Sequence, residues 1–523
     1  MSKWTLGDSD KQNFAMILSG SLAGLVLMAL LAIVALIVTR GLAHFWLQPA
    51  YFVTLQTETG LEYRFANIEE RDIASNRIQR VWLHDGTYFS AHGGGKPSVV
   101  DKSRIVYLER PENLAEFNMQ DGSFLLAIPQ GIVVDDGMLD IASFDSVTES
   151  VQEINSQISD IQLNQLAPLH ESLAEMRLQG VDASAPAYKK VLQQFQFWQE
   201  KLDALQVSQQ KAQVKISLPD GESLHIPVAD IQSLLFPNAV SLMGKMQYFF
   251  AQIWLFVSES PKQAITAGGV FPALFGTVLM VMLMTVMVTP FGVLAAIYLA
   301  EYAPNNIVVS IVRIAVGNLA GVPSIVYGVF GLGFFVYTVG GQLDTWLFPE
   351  RTDAAVFGAP GLLWASLTMA LLTLPVVIVA TEEGLRRVPF SLRQGSYALG
   401  ATKLETIRLT VLPLATPGIM TGVILAIARG AGEVAPLLML GAVKFALLLP
   451  IDGEFPYIHL ERQFMHLGVL IYDGAFHSQS AGQEASLMFA ACLLLLLVVL
   501  VLNTIAVNVR NRLRNQYKVL IGN

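Results

Sequence analysis

Residues 270–300 read VFPALFGTVLMVMLMTVMVTPFGVLAAIYLA, with no Asp, Glu, Lys or Arg among them. A helix needs roughly 20 apolar residues to cross a hydrocarbon layer of ~30 Å, so this stretch is long enough to span a bilayer. Working outward, four more such blocks follow at Ile307–Val339, Gly361–Ala380, Pro413–Leu440 and Ala485–Val507, and one precedes at Phe14–Thr39. A long polar stretch separates the first block from the rest, giving six spans as one plus five. The block from Ile307 is too long for a single crossing and holds Asn318, Pro323 and several glycines. It predicts a kinked or broken helix, tolerable only where neighbouring protein re-satisfies the freed backbone groups.

The totals agree with a membrane protein. A 523-residue chain of net charge -9 with few charges is too long and too apolar for one soluble domain. The acidic balance, without a dense Lys/Arg run, argues against nucleic acid as a partner. Cys492 is the sole cysteine and lies in an apolar block, so a disulfide framework is excluded. The first block outruns a signal-peptide core and ends in Thr39-Arg40-Gly41-Leu42, which reads as an uncleaved anchor. Gly20 and Gly24 form a GxxxG within it, a pattern also common by chance.

Cytoplasmic loops carry the excess of Lys and Arg. The loop 381–412 holds Arg386, Arg387, Arg393, Lys403 and Arg408, and the tail holds Arg510, Arg512, Arg514 and Lys518. Against these nine, the opposite segments offer Arg351, Lys444 and Arg462. The expected organisation is therefore a cytoplasmic start and first helix over 1–40, an extracytoplasmic domain over 41–265, a five-helix core over 266–509 with its cytoplasmic loop at 381–412, and a basic tail over 510–523.

Within 41–265, four Asp-Gly pairs (Asp85-Gly86, Asp121-Gly122, Asp136-Gly137, Asp220-Gly221) sit beside β-branched or aromatic residues, as hairpin turns do. The clearest lies between Val214–Leu218 and Leu224–Val228. Val147, Val151, Ile154, Ile158 and Ile161 recur in steps of four and three, and Tyr188, Val191, Phe195, Trp198, Leu202 and Leu205 repeat the seam. This predicts a coiled-coil-like helical hairpin over about 143–213, linked at 179–186; two core helices of a larger domain would show the same spacing.

The loop and the helix after it carry Gln394-Gly395-Ser396-Tyr397-Ala398-Leu399-Gly400, nine residues, then Thr410-Val411-Leu412-Pro413. Small residues around Gly400 allow a short helix to turn sharply and dock closely, and Pro413 suits the first turn of a helix. This resembles the EAA loop of ABC importer permeases: an acidic residue, two small ones, three of any kind, glycine, nine more, then Ile-x-Leu-Pro. Gln394 stands where the acid is usual and Thr410 where Ile is usual, which puts the strength of coupling in doubt. A basic membrane-facing loop is the bland alternative.

Gly268–Thr277, Ala295–Tyr302, Gly321–Gly328 and Ala428–Leu438 are similar to the PstA family of phosphate permease subunits. The resemblance covers about half the chain, from residue 266 onward, and implies nothing about 41–265. It implies the six-helix fold of a type I ABC importer permease, coupled to an ATPase through Gln394, Gly395, Ser396, Gly400, Leu412 and Pro413. The implied partners are a second, PstC-like permease subunit, two ATPase subunits and a periplasmic phosphate-binding protein, around a chain set in bacterial inner-membrane lipid.

Arg429 and Glu433 fall in the expected fifth span, where an isolated charge costs several kcal/mol. At i and i+4 on one helix they share a face and can pair. A charge pair facing a cavity marks a translocation pathway, and the resemblance points the same way. Arg429 would offer a cationic waypoint to an anion. Glu433 would either hold Arg429 or accept the proton of monohydrogen phosphate, which sulfate lacks. A purely structural pair locking two helices is the alternative.

Other motifs are weaker. Gly93-Gly94-Gly95-Lys96-Pro97-Ser98 lacks phosphate-loop spacing and reads as a flexible loop. His459, His466 and His477 lack tight metal-ligand spacing and read as solvated. Glu382 and Glu383 precede Arg386 and Arg387 as a surface ion-pair cluster. The sequence thus predicts an all-α polytopic membrane protein with an inserted α+β extracytoplasmic domain. It would be a permease subunit rather than an enzyme, without cofactor or metal, using ATP hydrolysed by a separate chain. A permease for another oxyanion or small solute, or a membrane-anchored sensor or scaffold, are the rival readings.

Overall fold

The computed structural model describes residues 8–57, 60–70, 80–84, 98–121, 123–134, 137–178, 185–261, 268–349, 355–446, 448–453, 455–476 and 483–521. Asp85-Gly86, residues 93–97, Gly122, Asp136, the 179–184 link, Arg351 and His477 lie outside them. The chain divides into two units: the first span together with the chain from Ile253 onward, and Trp46–Gln252.

In the first unit, six helices among the described residues are long and apolar enough to cross a membrane. They are Met16–Ala43, Phe271–Tyr302, Ser324–Leu347, Leu362–Arg386, Lys403–Gly432 and Ser486–Leu513, here the first to sixth spans. The fourth is the hub, buried along most of its length against the second and the fifth. Lipid is as apolar as Leu, so spans are held by close packing, which small residues permit. A Cβ added to Gly418 would fall 2.5 Å from the Cα of Gly384, and one at Gly292 would fall 2.6 Å from Val377 Cγ1. Several hydroxyls within the bundle return to their own helix, as when Thr373 donates to the Met369 carbonyl at 2.9 Å.

The first span is exposed along its length, and Gly20 and Gly24 face open space. Its close approach is made instead by Gly41, where an added Cβ would lie 2.9 Å from the Phe489 carbonyl of the sixth span. The long third block is broken as expected. Asn306 caps a helix, Ile307–Leu319, by accepting from Val309 N–H at 2.9 Å. A new helix begins at Ser324, directly after Pro323, and continues through a π-helical stretch, Gly331–Gly340, to Leu347.

The chain after the fifth span folds back on the bundle. Ala442-Val443 pairs in parallel with Phe464-Met465, and the Met465 carbonyl sits against Gly276 of the second span. His459 and His466 are therefore buried, not solvated as their polar sequence context suggests. His459 has a ring nitrogen 3.0 Å from Glu461 Oε1 and the other 2.9 Å from Asp452 Oδ1. His466 Nδ1 accepts from Gly468 N–H at 3.0 Å, and burial lowers its pKa to about 4, so it is neutral.

The second unit contains two sheets. One runs β4-β3-β2-β1-β5, from β1 (Ala50–Thr57), β2 (Gly60–Glu70), β3 (Arg80–His84), β4 (Ser98–Asp101) and β5 (Ile105–Glu109). The other runs β10-β9-β7-β6-β11, from β6 (Ala115–Met119), β7 (Phe124–Val134), β9 (Ala212–Ser217), β10 (Ser223–Pro227) and β11 (Ile231–Leu235), with β8 (Gly137–Leu139) paired to β7. All these pairs are antiparallel. In β9, Ala212, Val214 and Ile216 are buried while the alternate residues are not, the period of two that marks a half-buried strand. The hairpin read around Asp220-Gly221 pairs Leu224 with Ile216 and Ile226 with Val214.

Between the sheets' strands in sequence come helices Phe144–Asp160, Ala167–Leu178 and Pro186–Gln209, the first two joined by a π-helical turn, Ile161–Leu166. Ile161, Leu166 and Leu202 form one buried cluster with Ile158, Phe195, Trp198 and Leu205 around it. Val151, nearer the start, belongs instead to the buried cluster of the second sheet, with Phe117 and Val214 among its members.

Candidate functional site

The loop after the fourth span is a helix, a turn and a second helix, each dictated locally. Helix Phe390–Ala398 ends at Gly400, whose φ of +86° favours glycine. Ala401 N–H reaches the Ser396 carbonyl at 3.2 Å and Gly400 N–H the Tyr397 carbonyl at 2.9 Å, a Schellman closure. Thr402 and Glu405 then form a capping box that opens the next helix at Lys403. Ser396 Oγ lies 2.9 Å from Thr406 Oγ1, tying the two helices together.

Pro413 lies in the first turn of the α-helix Leu412–Gly432, as its Leu-Pro context suggests, but that helix is not the start of the span. The fifth span already starts at Lys403, and a π-helical segment, Ile407–Val411, precedes Leu412 and Pro413. The wider turn makes room for the proline ring, which has no N–H to donate to the turn before it. Gln394, Gly395 and Gly400 are exposed, as are the apolar Phe390, Tyr397, Leu399 and Leu404, which together give the loop an uncovered apolar surface.

Charge ties the loop to the bundle. Arg393 Nη2 lies 2.8 Å from Glu301 Oε1 and donates to the Leu385 carbonyl at 2.8 Å. Lys403 donates to the Glu301 carbonyl and sits 4.6 Å over the Tyr302 ring. Glu382 contacts Arg386 at 2.6 Å but also Arg313 at 3.1 Å, so it is an inward junction rather than a surface residue. Glu383 and Arg387, 3.9 Å apart and both well exposed, fit the surface reading. The Glu301 and Arg313 contacts link distant segments, so no local spacing announces them; a charge just past one apolar block and another within the next were the available signals.

Arg429 and Glu433 meet, with Nε 3.5 Å from Oε1 and both side chains partly exposed. They do so differently from the sequence expectation. The helix stops at Gly432, and Glu433 is extended at φ -83°, ψ 132°, so the two do not share one helix face. The pair closes across a helix end. Val434 follows, and a short helix, Ala435–Met439, begins.

The short helix after this break packs on Ser324–Phe330, the helix that follows the break at residues 320–323. A Cβ on Gly328 would fall 2.7 Å from Pro436 Cα. Tyr327 donates to the Leu319 carbonyl across its own break at 2.8 Å. Two runs more than a hundred residues apart are thereby brought together: Gly321–Gly328 and Ala428–Leu438. From the second span, Met284 packs on Gly430, its Sδ 2.6 Å from where a Cβ would stand. Interrupted helices leave backbone groups free to meet a polar solute, and they commonly form transporter sites.

With this polytopic bundle, its broken helices, charge pair and exposed loop in view, comparison with known proteins gives its class, that of a permease subunit. Its family is that described as "Binding-protein-dependent transport system inner membrane component", matched over residues 288–515. The chain is 35% identical over 244 residues to phosphate transport system permease protein PstA 1 of Mycobacterium tuberculosis (strain CDC 1551 / Oshkosh), covering 47% of this chain and 71% of that one. It is 36% identical over 253 residues to PstA of Yersinia pestis, covering 48% and 76%. A solved chain of the MetNI methionine ABC transporter aligns at 20% identity and a TM-score of 0.34, over 50% of this chain and 98% of that one, too slight a likeness to argue from. The chain belongs to the binding-protein-dependent permease family. It is a multi-pass inner-membrane subunit of an ABC importer, not itself an enzyme, and the family implies an ATPase and a substrate-binding protein as partners.

Proposed function

We propose that this chain forms half of the pathway of an ATP-driven phosphate importer, with Arg429 as a cationic waypoint and Glu433 holding it in place. The observation that carries this reading is the 3.5 Å Arg429–Glu433 pair at a helix end, beside a second broken helix. The names of the PstA relatives support phosphate as the solute. A PstC-like subunit supplies the other half, two ATPase subunits grip the 394–413 loop and its counterpart in that subunit, and a periplasmic phosphate-binding protein delivers from the side of residues 41–265. ATP binding draws the ATPases together and rocks the spans between inward- and outward-facing states.

The test is Arg429→Gln and Glu433→Gln, each followed by phosphate uptake per assembled complex. Uptake is expected to fall by about tenfold or more, the equivalent of losing one contact of ~1.4 kcal/mol. Unchanged uptake with the complex intact contradicts the pathway role.

A further inference from the structure

We propose that Glu301 is the receiver of the coupling loop's movement: through its ion pair with Arg393 it passes that movement into the second span, and so to the Arg429 region. The inference rests on reading residues 394–413 as the loop held by an ATPase.

Three contacts converge on the last turn of the second span. Arg393, beside Gln394 in the loop's first helix, reaches the Glu301 carboxylate at 2.8 Å. Lys403, which opens the loop's second helix, donates to the Glu301 carbonyl and covers the Tyr302 ring. Arg393 also holds the Leu385 carbonyl at the end of the fourth span, at 2.8 Å. Both halves of the loop are thus fastened to one turn, on either side of Gly400.

The Glu301–Arg393 contact is sheltered, with side-chain exposures of 9% and 18%. It is ionic rather than a directed hydrogen bond, since Glu301 Oε1 and Arg393 Nε find no aligned partner. Replacing either charge leaves the other stranded in a partly dry site. The far end of the loop is exposed at Tyr397 and Leu399, while its base packs Val388 and Val411 in one buried cluster with Leu299, beside these polar ties.

The second span leads from this turn to the charge pair. It is helical from Phe271 to Tyr302, and Met284, about 25 Å along the axis from Glu301, packs on Gly430 next to Arg429. A carboxylate is usual at the position of Gln394 in such loops; here Glu301, from another element, supplies a carboxylate to the neighbouring Arg393. Glu301 and Arg393 are positioning residues, acting on the solute only through the span.

The experiment compares Glu301→Gln, Arg393→Gln and the exchanged pair Glu301→Arg/Arg393→Glu, with Gly400→Leu alongside, in the complete reconstituted complex. ATPase retention, ATP hydrolysis and phosphate uptake are measured per assembled complex. Glu301→Gln and Arg393→Gln are expected to keep the ATPase bound and hydrolysing while phosphate moved per ATP falls at least fivefold, and the exchanged pair to recover part of that ratio. A merely structural role would lower both activities in proportion, so an unchanged ratio overturns the proposal. Gly400→Leu tests the underlying reading separately: it is expected to loosen the ATPase, and full retention with normal hydrolysis would overturn the loop's docking role instead.

Discussion

At Gly384 and Gly418 the fourth and fifth spans touch backbone to backbone, with an added Cβ at position 418 meeting the Cα of Gly384 at 2.5 Å. No side chain stands there that could move aside. Gly418→Ala is therefore expected to cost ~1–3 kcal/mol, read as a lower thermal midpoint and a smaller folded yield in detergent. An unaltered midpoint would show that the crossing is looser than described. This contact was not legible in the sequence, because only the choice of neighbouring helices turns an ordinary glycine into a crossing point. Gly400 was legible, since its positive φ and the Schellman closure are local matters encoded by its neighbours.

Elements were read well where one period governs a whole segment. The spans announce themselves by uninterrupted apolarity, and the hairpin helices by seams at steps of three and four. Their details depend on tertiary contacts. The π-helical turns at Ile161–Leu166, Gly331–Gly340 and Ile407–Val411 have no compositional mark, and the end of the fifth helix at Gly432 was hidden in an apolar run that continues to Leu440. Leu202 lies in the buried seam of the helical pair, whereas Phe197 is 60% exposed. Leu202→Ala is expected to cost ~2–5 kcal/mol and Phe197→Ala less than ~0.5 kcal/mol. Hydrogen exchange over residues 144–209 of the intact protein would accelerate in the first variant only; equal effects would remove the seam as the organising contact.

On the scale of the whole molecule, the permease family and the six spans define an importer subunit, while the inserted unit follows its own β-sheet rules. The Arg429 and Glu433 pairing was anticipated from spacing alone, although the geometry that achieves it is a helix end and not a shared face. What the sequence could not convey is that the Gly321–Gly328 run would meet the Ala428–Leu438 run, since that depends on how broken helices nest. We propose that residues 394–413 form a cytosolic lever for a separate motor protein, and the importer reading depends on that placement. Leu399, 90% exposed at the lever's tip, permits a direct measurement: Leu399→Cys in a Cys492→Ala background, treated with a membrane-impermeant maleimide. Labelling is expected in inside-out vesicles stripped of the ATPase and absent in intact cells; modification from outside intact cells would place the loop on the wrong side of the membrane for such a lever.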